Sequence, residues 1–146
     1  MGGFAFASMG DVKVLGLDVG EARIGVAVAE EGRRLAFGRG WIERSTPDAD
    51  VDRVLELARG EGAVRVVVGL PRRTGGEEGA EAAKVRRFAA ALTAAGLEVR
   101  FVDERFTTRV AAQRTAHLPK KKRQQKGRLD EAAAVAILET YLERDA

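Results

Sequence analysis

Residues 12–29 read VKVLGLDVGEARIGVAVA, and this stretch decides the fold. Val12 to Leu17 is mostly apolar and rich in β-favouring residues, which predicts a buried strand. Gly20 and the short polar segment after it predict a turn. Ile24 to Ala29 is again apolar and predicts a second strand beside the first. The pattern indicates the start of an antiparallel meander.

A third strand follows, and then the period of the apolar residues changes. Leu35 to Ile42 completes the predicted meander of three strands. Thr46 is a typical N-cap residue, and apolar residues recur at helical spacing until Gly60 and Gly62 end the element. Val64 to Val68 is a run of β-branched residues that predicts a central strand.

Helices and strands alternate in the C-terminal half of the chain. The pattern predicts a helix over Glu78 to Ala95, a strand over Val99 to Glu104, a short helix over Thr107 to Ala116 and a last helix over Leu129 to Arg144. The complete order is β-β-β-α-β-α-β-α-α. It predicts an α/β domain with a five-stranded mixed sheet and helices on both faces, which is the element order of the RNase H-like fold.

Length and composition indicate one soluble domain. The chain has 146 residues, which is room for a single core. We expect residues 1–11 to be a flexible N-terminal extension, with Met9 as an alternative start to Met1, and residues 12–146 to form the domain. No apolar run approaches the ~20 residues that span a bilayer. The start lacks the features of a signal peptide, so we expect a cytoplasmic protein with no membrane contact.

The residue types exclude several kinds of metal site. The chain has no cysteine and one histidine, His117, which excludes thiolate sites and His-rich zinc sites. Any metal ion would therefore be held by oxygen ligands, and oxygen ligands favour Mg²⁺ or Mn²⁺.

Three acidic residues are candidates for such a site. Asp18 ends an apolar strand, where a buried carboxylate is costly unless it is paired or binds a cation. The alternative is a side chain that bonds to the backbone of the turn. Glu104 ends a second strand, on the opposite face from Asp103 because successive strand residues alternate. The alternative for Glu104 is a surface ion pair.

Asp130 is the third candidate, at the predicted start of the last helix. Capping and the helix dipole would explain an aspartate there. However, Asp130 lies on the same helix face as Ala133 and Ala134, which is expected to pack inward. Its carboxylate would then lean over the sheet beside the other two acids, whereas Glu131 is expected to face solvent. Three converging acids without histidine or cysteine would suit a metal-dependent phosphodiesterase.

Basic residues indicate a nucleic-acid partner. The net charge is only +3, but six basic residues and no acid occupy a predicted loop just before Asp130: Lys120, Lys121, Lys122, Arg123, Lys126 and Arg128. A solvated loop is the alternative to phosphate contact, and the position beside the candidate site favours contact. Arg72 and Arg73, in a glycine-rich loop, are further candidates. Arg23 could contact phosphate or brace the carboxylates.

Aromatic residues make up only 5% of the chain, which argues against base stacking and favours recognition of a duplex or junction through its backbone and shape.

Several short motifs in order resemble one known family. They are GLDVG at 16–20, RIGVA at 23–27, VGLP at 68–71 with Gly76, DERFTT at 103–108, and DEAA at 130–133 before Ile137 and Leu138. From Val12 to Leu142 the chain resembles the YqgF family, also called RuvX, which is similar in fold to the RuvC Holliday junction resolvase. The resemblance implies a catalytic and metal-binding trio of Asp18, Glu104 and Asp130. It also implies maturation of the 5′ end of precursor 16S rRNA, or cleavage of branched DNA.

One position departs from RuvC itself. RuvC has a second aspartate one turn into the last helix, where this chain has Ala133. This departure weakens the case for resolvase activity more than the case for nuclease activity. Cutting a four-way junction symmetrically would also require a homodimer, and the sequence leaves monomer and homodimer open.

Two functions of other classes are compatible with parts of the sequence. A non-catalytic nucleic-acid-binding or ribosome-assembly module would use the basic residues equally well, with the three acids as capping and ion-pair residues. The segment from Leu17 to Gly20 also resembles the first phosphate loop of actin-like ATPases. Those proteins bind nucleotide between two such domains, and this chain has room for one.

Overall fold

A five-stranded mixed sheet forms the centre of the molecule. The computed structural model describes residues 12–73, 75–104 and 122–144, so the predicted extension 1–11 and the predicted helix Thr107–Ala116 lie outside the described residues. The elements are β1 (Lys13–Val19), β2 (Arg23–Glu30), β3 (Ala36–Glu43), α1 (Pro47–Glu61), β4 (Ala63–Leu70), α2 (Ala80–Ala94), β5 (Glu98–Asp103) and α3 (Lys122–Arg144).

The strand order confirms the predicted α/β fold. The sheet runs β3-β2-β1-β4-β5. β1, β2 and β3 form the antiparallel meander, whereas β4 is parallel to both β1 and β5. The carboxyl ends of β1, β4 and β5 therefore meet at one edge of the sheet, where ligands gather in α/β proteins.

Two apolar cores cover the two faces of the sheet. On one face, α1 and α2 pack on alternate strand residues, among them Leu15, Leu17 and Val68. On the other face, α3 packs on the intervening residues, including Val14 and Val67. This alternation follows from the period of two in a strand. In the described ranges, no helix is long and apolar enough to cross a membrane.

Local signals set the limits of α1 as the sequence predicts. The Thr46 hydroxyl oxygen accepts a hydrogen bond from the backbone N–H of Ala49 at 3.2 Å, and Pro47 occupies the first turn. Gly62 ends the helix with φ of +74°, a conformation that glycine adopts without steric cost.

α3 lies unusually close to the sheet because glycines replace side chains beneath it. A Cβ atom added to Gly25 of β2 would overlap the carbonyl group of Asp130. A Cβ at Gly16 of β1 would lie 2.9 Å from the Leu138 Cβ, and one at Gly69 of β4 would reach Ile137. The helix backbone at Asp130 therefore rests directly on strand backbone.

The predicted start of the last helix was wrong. The sequence predicted a basic loop up to Arg128, whereas α3 begins at Lys122. Lysine, arginine and glutamine are good helix formers, and the interruption at Gly127 is accommodated because the Trp41 ring lies against it. Asp130 is thus well inside the helix, so capping does not explain this aspartate.

We predict that Gly25→Ala lowers the free energy of unfolding by about 1–3 kcal/mol, because the added methyl group forces α3 off the sheet. Chemical denaturation followed by circular dichroism measures the change. Gly60→Ala is the matched control: Gly60 lies within α1, and a Cβ there meets no atom within 4 Å. That control should raise stability by about 0.5–1 kcal/mol, and equal effects of the two changes would contradict the close-contact explanation.

Candidate active site

The fold brings the three predicted acids to one edge of the sheet. Asp18 lies near the end of β1, Glu104 follows β5 directly, and Asp130 comes from α3 above them. β4 lies between β1 and β5, and a Cβ at its Gly69 would touch the carboxylate of Glu104. The missing side chain leaves room for Glu104 to reach across β4 towards β1.

Asp18 and Glu104 are close enough to share a proton. Burial is the largest cause, followed by the charges of Glu104 and Asp130, and together they raise the pKa of Asp18 from 3.8 to about 8. A hydrogen bond joins the Asp18 and Glu104 carboxyl groups, which requires that one of them is protonated. The pair therefore carries less than two negative charges near neutral pH.

Asp130 is neutralised differently, by Arg23 at the start of β2. The Arg23 Nε donates to Asp130 Oδ2 at 2.7 Å, and the two side chains are only 17% and 25% exposed. Burial raises the pKa of Asp130, Arg23 opposes that change, and the charge of Glu43 on β3 adds to it. Of the two roles that the sequence left open for Arg23, the structure shows this contact with the carboxylates.

The donor chemistry of this cluster fits a divalent cation, although the acids are not yet arranged around one. Carboxylate oxygens are the ligands that Mg²⁺ and Mn²⁺ prefer, and a cation would relieve the repulsion that keeps a proton on Asp18. Within the described part of the chain, no three His, Cys, Asp or Glu side chains are already placed to hold a metal ion. The contact of Asp130 with Arg23 explains this arrangement, because the Asp130 carboxylate is held by the guanidinium and is not directed at a metal position.

A cleft of about 260 Å³ opens beside Asp18 and Glu104, and its lining includes Arg44 and Lys84. Neither basic residue was among the candidates predicted from the sequence. Arg44 is held firmly: its Nη1 donates to the Gly20 carbonyl at 2.7 Å, and its Nε contacts the fully buried Asp50 at 3.1 Å. No sequence signal pointed to them, since they enter the cleft only through the packing of β3 and α2.

Glu131 does not face solvent, contrary to the prediction. Its Oε2 accepts a hydrogen bond from the backbone N–H of Gly40 at 2.7 Å, and its side chain covers Gly38. The cause is an irregularity in β3, where the register with β2 shifts and Gly40 has φ of +80°. A bulge of this kind frees a backbone N–H and bends the strand under the helix.

The predicted nucleic-acid-binding residues are spread over two regions. Arg72 and Arg73 are exposed; Arg72 lies 3.8 Å from Glu78, and the Arg73 guanidinium covers Gly79. Lys126 and Arg128 are exposed on α3, and Lys126 lies one turn before Asp130 and so shares its side of the helix. Lys122 and Arg123 form the first turn of α3, and Lys120 and Lys121 lie outside the described residues.

The family model and the relatives that match this chain agree with one another. The family model RuvX, described as Holliday junction resolvase, matches residues 12–144. A Thermus thermophilus protein is 53% identical over 133 residues, covering 91% of this chain and 98% of its own length. A Moorella thermoacetica protein is 43% identical over 137 residues, covering 91% and 96%. Both are named as proposed pre-16S rRNA nucleases.

Solved structures support the fold. Thermus thermophilus RuvC in complex with a Holliday junction substrate superposes with a TM-score of 0.57 at 18% identity, covering 92% of this chain and 95% of RuvC. A second structure of Thermus thermophilus RuvC gives a TM-score of 0.52 at 20% identity, covering 92% and 98%. The neighbours share the RNase H-like architecture that the element order predicts.

We predict that Asp18→Asn stabilises the metal-free protein increasingly as the pH rises from 4 to 8. The folded state holds the Asp18 proton up to a pKa of about 8, whereas the unfolded state releases it near 4. The wild-type protein therefore loses stability across this interval, and the asparagine protein does not. Since one pKa unit corresponds to about 1.4 kcal/mol, denaturation at several pH values should show a difference on the order of 5 kcal/mol at pH 8 and little at pH 4.

Asp52→Asn is the matched control for this prediction. Asp52 is exposed on α1, and its substitution should change stability little at any pH. A difference between Asp18→Asn and wild type that is constant with pH would contradict proton retention by the buried pair.

Proposed function

Because this chain belongs to the RuvX family of Holliday junction resolvases, we propose that it is a metal-dependent endonuclease that hydrolyses phosphodiester bonds in structured nucleic acid. The observation that carries the proposal is the cluster of Asp18, Glu104 and Asp130 at one edge of the sheet. The raised pKa of Asp18 supports it, because perturbed carboxylates in a cleft are typical of functional sites.

In this proposal the three acids hold Mg²⁺ or Mn²⁺. When bound, the ion supplies electrostatic stabilisation of the reacting phosphate and lowers the pKa of the attacking water. Asp18 and Glu104 contribute by giving up their shared proton, so that both become full oxygen ligands. Asp130 contributes once its carboxylate turns away from Arg23.

The basic residues of the cleft would orient the substrate. Arg44 is locked between the Gly20 carbonyl and Asp50, so its charge has a defined position beside Asp18. Lys84 is exposed and is paired with Glu21 at 3.1 Å, a contact that a phosphate can replace at little cost. Arg23 can likewise exchange Asp130 for a phosphate oxygen. Lys126 and Arg128 would extend the contact along the nucleic-acid backbone.

We propose precursor 16S rRNA as the substrate, because relatives covering most of this chain are named as proposed nucleases of that RNA. The family resemblance implies cleavage at its 5′ end. Such a role would place the protein in the cytoplasm. Branched DNA is the second candidate, supported by the description of the family. Ala133 disfavours it, because the additional carboxylate that RuvC is expected to have there is missing.

The decisive experiment offers both substrates to the purified protein. Labelled precursor 16S 5′-end RNA and a four-way DNA junction are each incubated with Mg²⁺, Mn²⁺ or EDTA. We expect metal-dependent cleavage of the RNA, and a loss of about 100-fold or more in rate for Asp18→Asn and Glu104→Gln. Glu81→Gln, at the rim of the same cleft, is the matched control and should cut nearly normally.

The other outcomes separate the alternatives. Cleavage of the junction instead of the RNA would assign the resolvase function, and the mass of the active species in solution would then show whether it is a homodimer. Tight binding of either nucleic acid without cleavage under any metal would leave a non-catalytic binding or ribosome-assembly module. Unchanged cleavage by Asp18→Asn and Glu104→Gln would show that these carboxylates do not form the catalytic site.

We also predict that Arg23→Gln binds Mn²⁺ roughly three- to tenfold more tightly than wild type in the absence of nucleic acid. Removing the guanidinium removes a positive charge and frees the Asp130 carboxylate. Isothermal titration calorimetry measures the affinity, and Arg23→Lys, which keeps the charge, should stay closer to wild type. Weaker Mn²⁺ binding by Arg23→Gln would mean that Arg23 organises Asp130 for the metal rather than competing with it.

A further inference from the structure

A second concave surface lies at the opposite end of the strands from the carboxylates. It is a groove of about 390 Å³ along the start of β3, with walls that include Lys13, Leu35 and Phe37. We call it the β3 groove. β3 is an edge strand, and Phe37 pairs in register with Val28, whose side chain belongs to the core beneath α1. The groove therefore opens on the α1 face of the sheet, at its outer edge.

Exposed apolar side chains concentrate in this groove. Leu35 is 64% exposed and Phe37 is 58% exposed, and in the described ranges only two other large apolar residues, Val64 and Leu129, are comparably exposed. Leu35 and Phe37 are two residues apart, so they lie on the same face of the chain. An exposed apolar pair at a sheet edge is a liability in a monomer and commonly marks a contact site.

The groove is also strongly basic. Arg33, Arg34, Arg39 and Lys13 line it, against a single acidic lining residue, Glu30. Arg33 lies 3.5 Å from Glu30 and Arg39 lies 2.9 Å from Glu61 of α1. Arg34 and Lys13 form no ion pair with any residue in 12–73, 75–104 or 122–144. Two cations without an ion-pair partner among these residues thus line the groove beside the exposed apolar pair.

We propose that the β3 groove binds a single-stranded segment of nucleic acid. Phe37 offers an aromatic face on which a base can stack, and Leu35 extends that apolar surface. Arg34 and Lys13 line the same groove and can contact the phosphates of the bound strand. The low aromatic content argued against a stacking platform, but a single accessible ring beside arginines suffices for one base. The proposal shares with the proposed function only the class of partner.

Charge favours this occupant over a second copy of the chain. A two-fold contact through the β3 groove would set the same patch against itself, so the four cations of one copy would face those of the other. Nucleic acid instead complements both the charge and the aromatic ring. The groove volume is within the ~300–1,000 Å³ that ligand clefts occupy, which is enough for a base and its sugar.

The position of the groove suggests how it would serve a long substrate. Lys13 and Asp18 are five residues apart on β1, so the two sites are separated by at least roughly 17 Å along the strand, and a path around the sheet edge is longer. The two sites lie on opposite faces of the sheet, so a nucleic acid that reached both would pass around the free edge of β3. A single-stranded tail beside a structured region can bend in this way, whereas a continuous duplex is too stiff.

The test measures binding in EDTA, where metal-dependent cleavage cannot contribute. Fluorescence anisotropy follows a labelled 12-nucleotide single-stranded RNA and, separately, a blunt duplex of the same sequence. We expect Phe37→Ala to weaken binding of the single strand about tenfold and to leave duplex binding nearly unchanged. Arg34→Gln should lower the slope of log affinity against log salt by about 0.7.

Matched controls exclude general effects of charge or apolar surface. Arg87→Gln removes an exposed arginine from α2, and Val64→Ala trims an exposed apolar side chain of β4; neither should change single-strand affinity. Because Phe37 and Arg34 are exposed, the variants should fold. Phe37→Trp keeps an aromatic ring in the groove and should bind the single strand as the wild type does.

The outcomes distinguish the groove proposal from the proposed function. Wild-type affinity in Phe37→Ala and Arg34→Gln, or no binding of single strands by the wild type, overturns the groove proposal while leaving nuclease activity intact. A dimer in sedimentation that Phe37→Ala dissociates overturns it in favour of a second copy. If Phe37→Ala and Arg34→Gln lose single-strand binding while the wild-type protein cleaves neither substrate with any metal, the groove proposal is supported and the proposed function is overturned.

Discussion

The contact between α3 and the sheet backbone is the constraint on which the rest of the structure depends. Gly25 contributes through its missing Cβ, since any side chain there would occupy the space of the Asp130 carbonyl group. Gly16 and Gly69 continue the close approach under Leu138 and Ile137. With the helix seated this deeply, Asp130 is held over the strand ends, and the carboxylate of Glu104 can cross β4 towards Asp18.

Gathering three acids in a half-buried place is electrostatically unfavourable, and the metal-free fold offsets that cost in two ways. Asp18 and Glu104 keep a proton between them, whereas Asp130 pairs with Arg23 at 2.7 Å. In the proposed function both devices are reversible, because a divalent cation would replace the proton and a phosphate would replace the carboxylate on Arg23. A site that tolerates such repulsion is typical of function taking precedence over stability.

The irregular third strand shapes both faces of the sheet. On the α3 face, the bulge at Gly40 presents its N–H to Glu131 and sets the Trp41 ring against Gly127, so it anchors the first half of the helix that carries Asp130. On the α1 face, exposed Phe37 near the start of this strand and Leu35 just before it lie among arginines. An edge strand that is bent and charged is protected against pairing with other sheets, yet it remains available for other partners.

The sequence by itself determined the features that depend on neighbouring residues. The apolar runs of β1 and β2, the Thr46 and Gly62 signals of α1, and the position of Asp18 and Glu104 at strand ends could be predicted, because strand propensity and capping depend on residues close together in the chain. Tertiary structure decided the rest. The start of α3 at Lys122 depends partly on the Trp41 ring that lies against Gly127. The contact of Glu131 with Gly40 and the pairing of Arg23 with Asp130, 107 residues apart, join distant elements that no local pattern encodes.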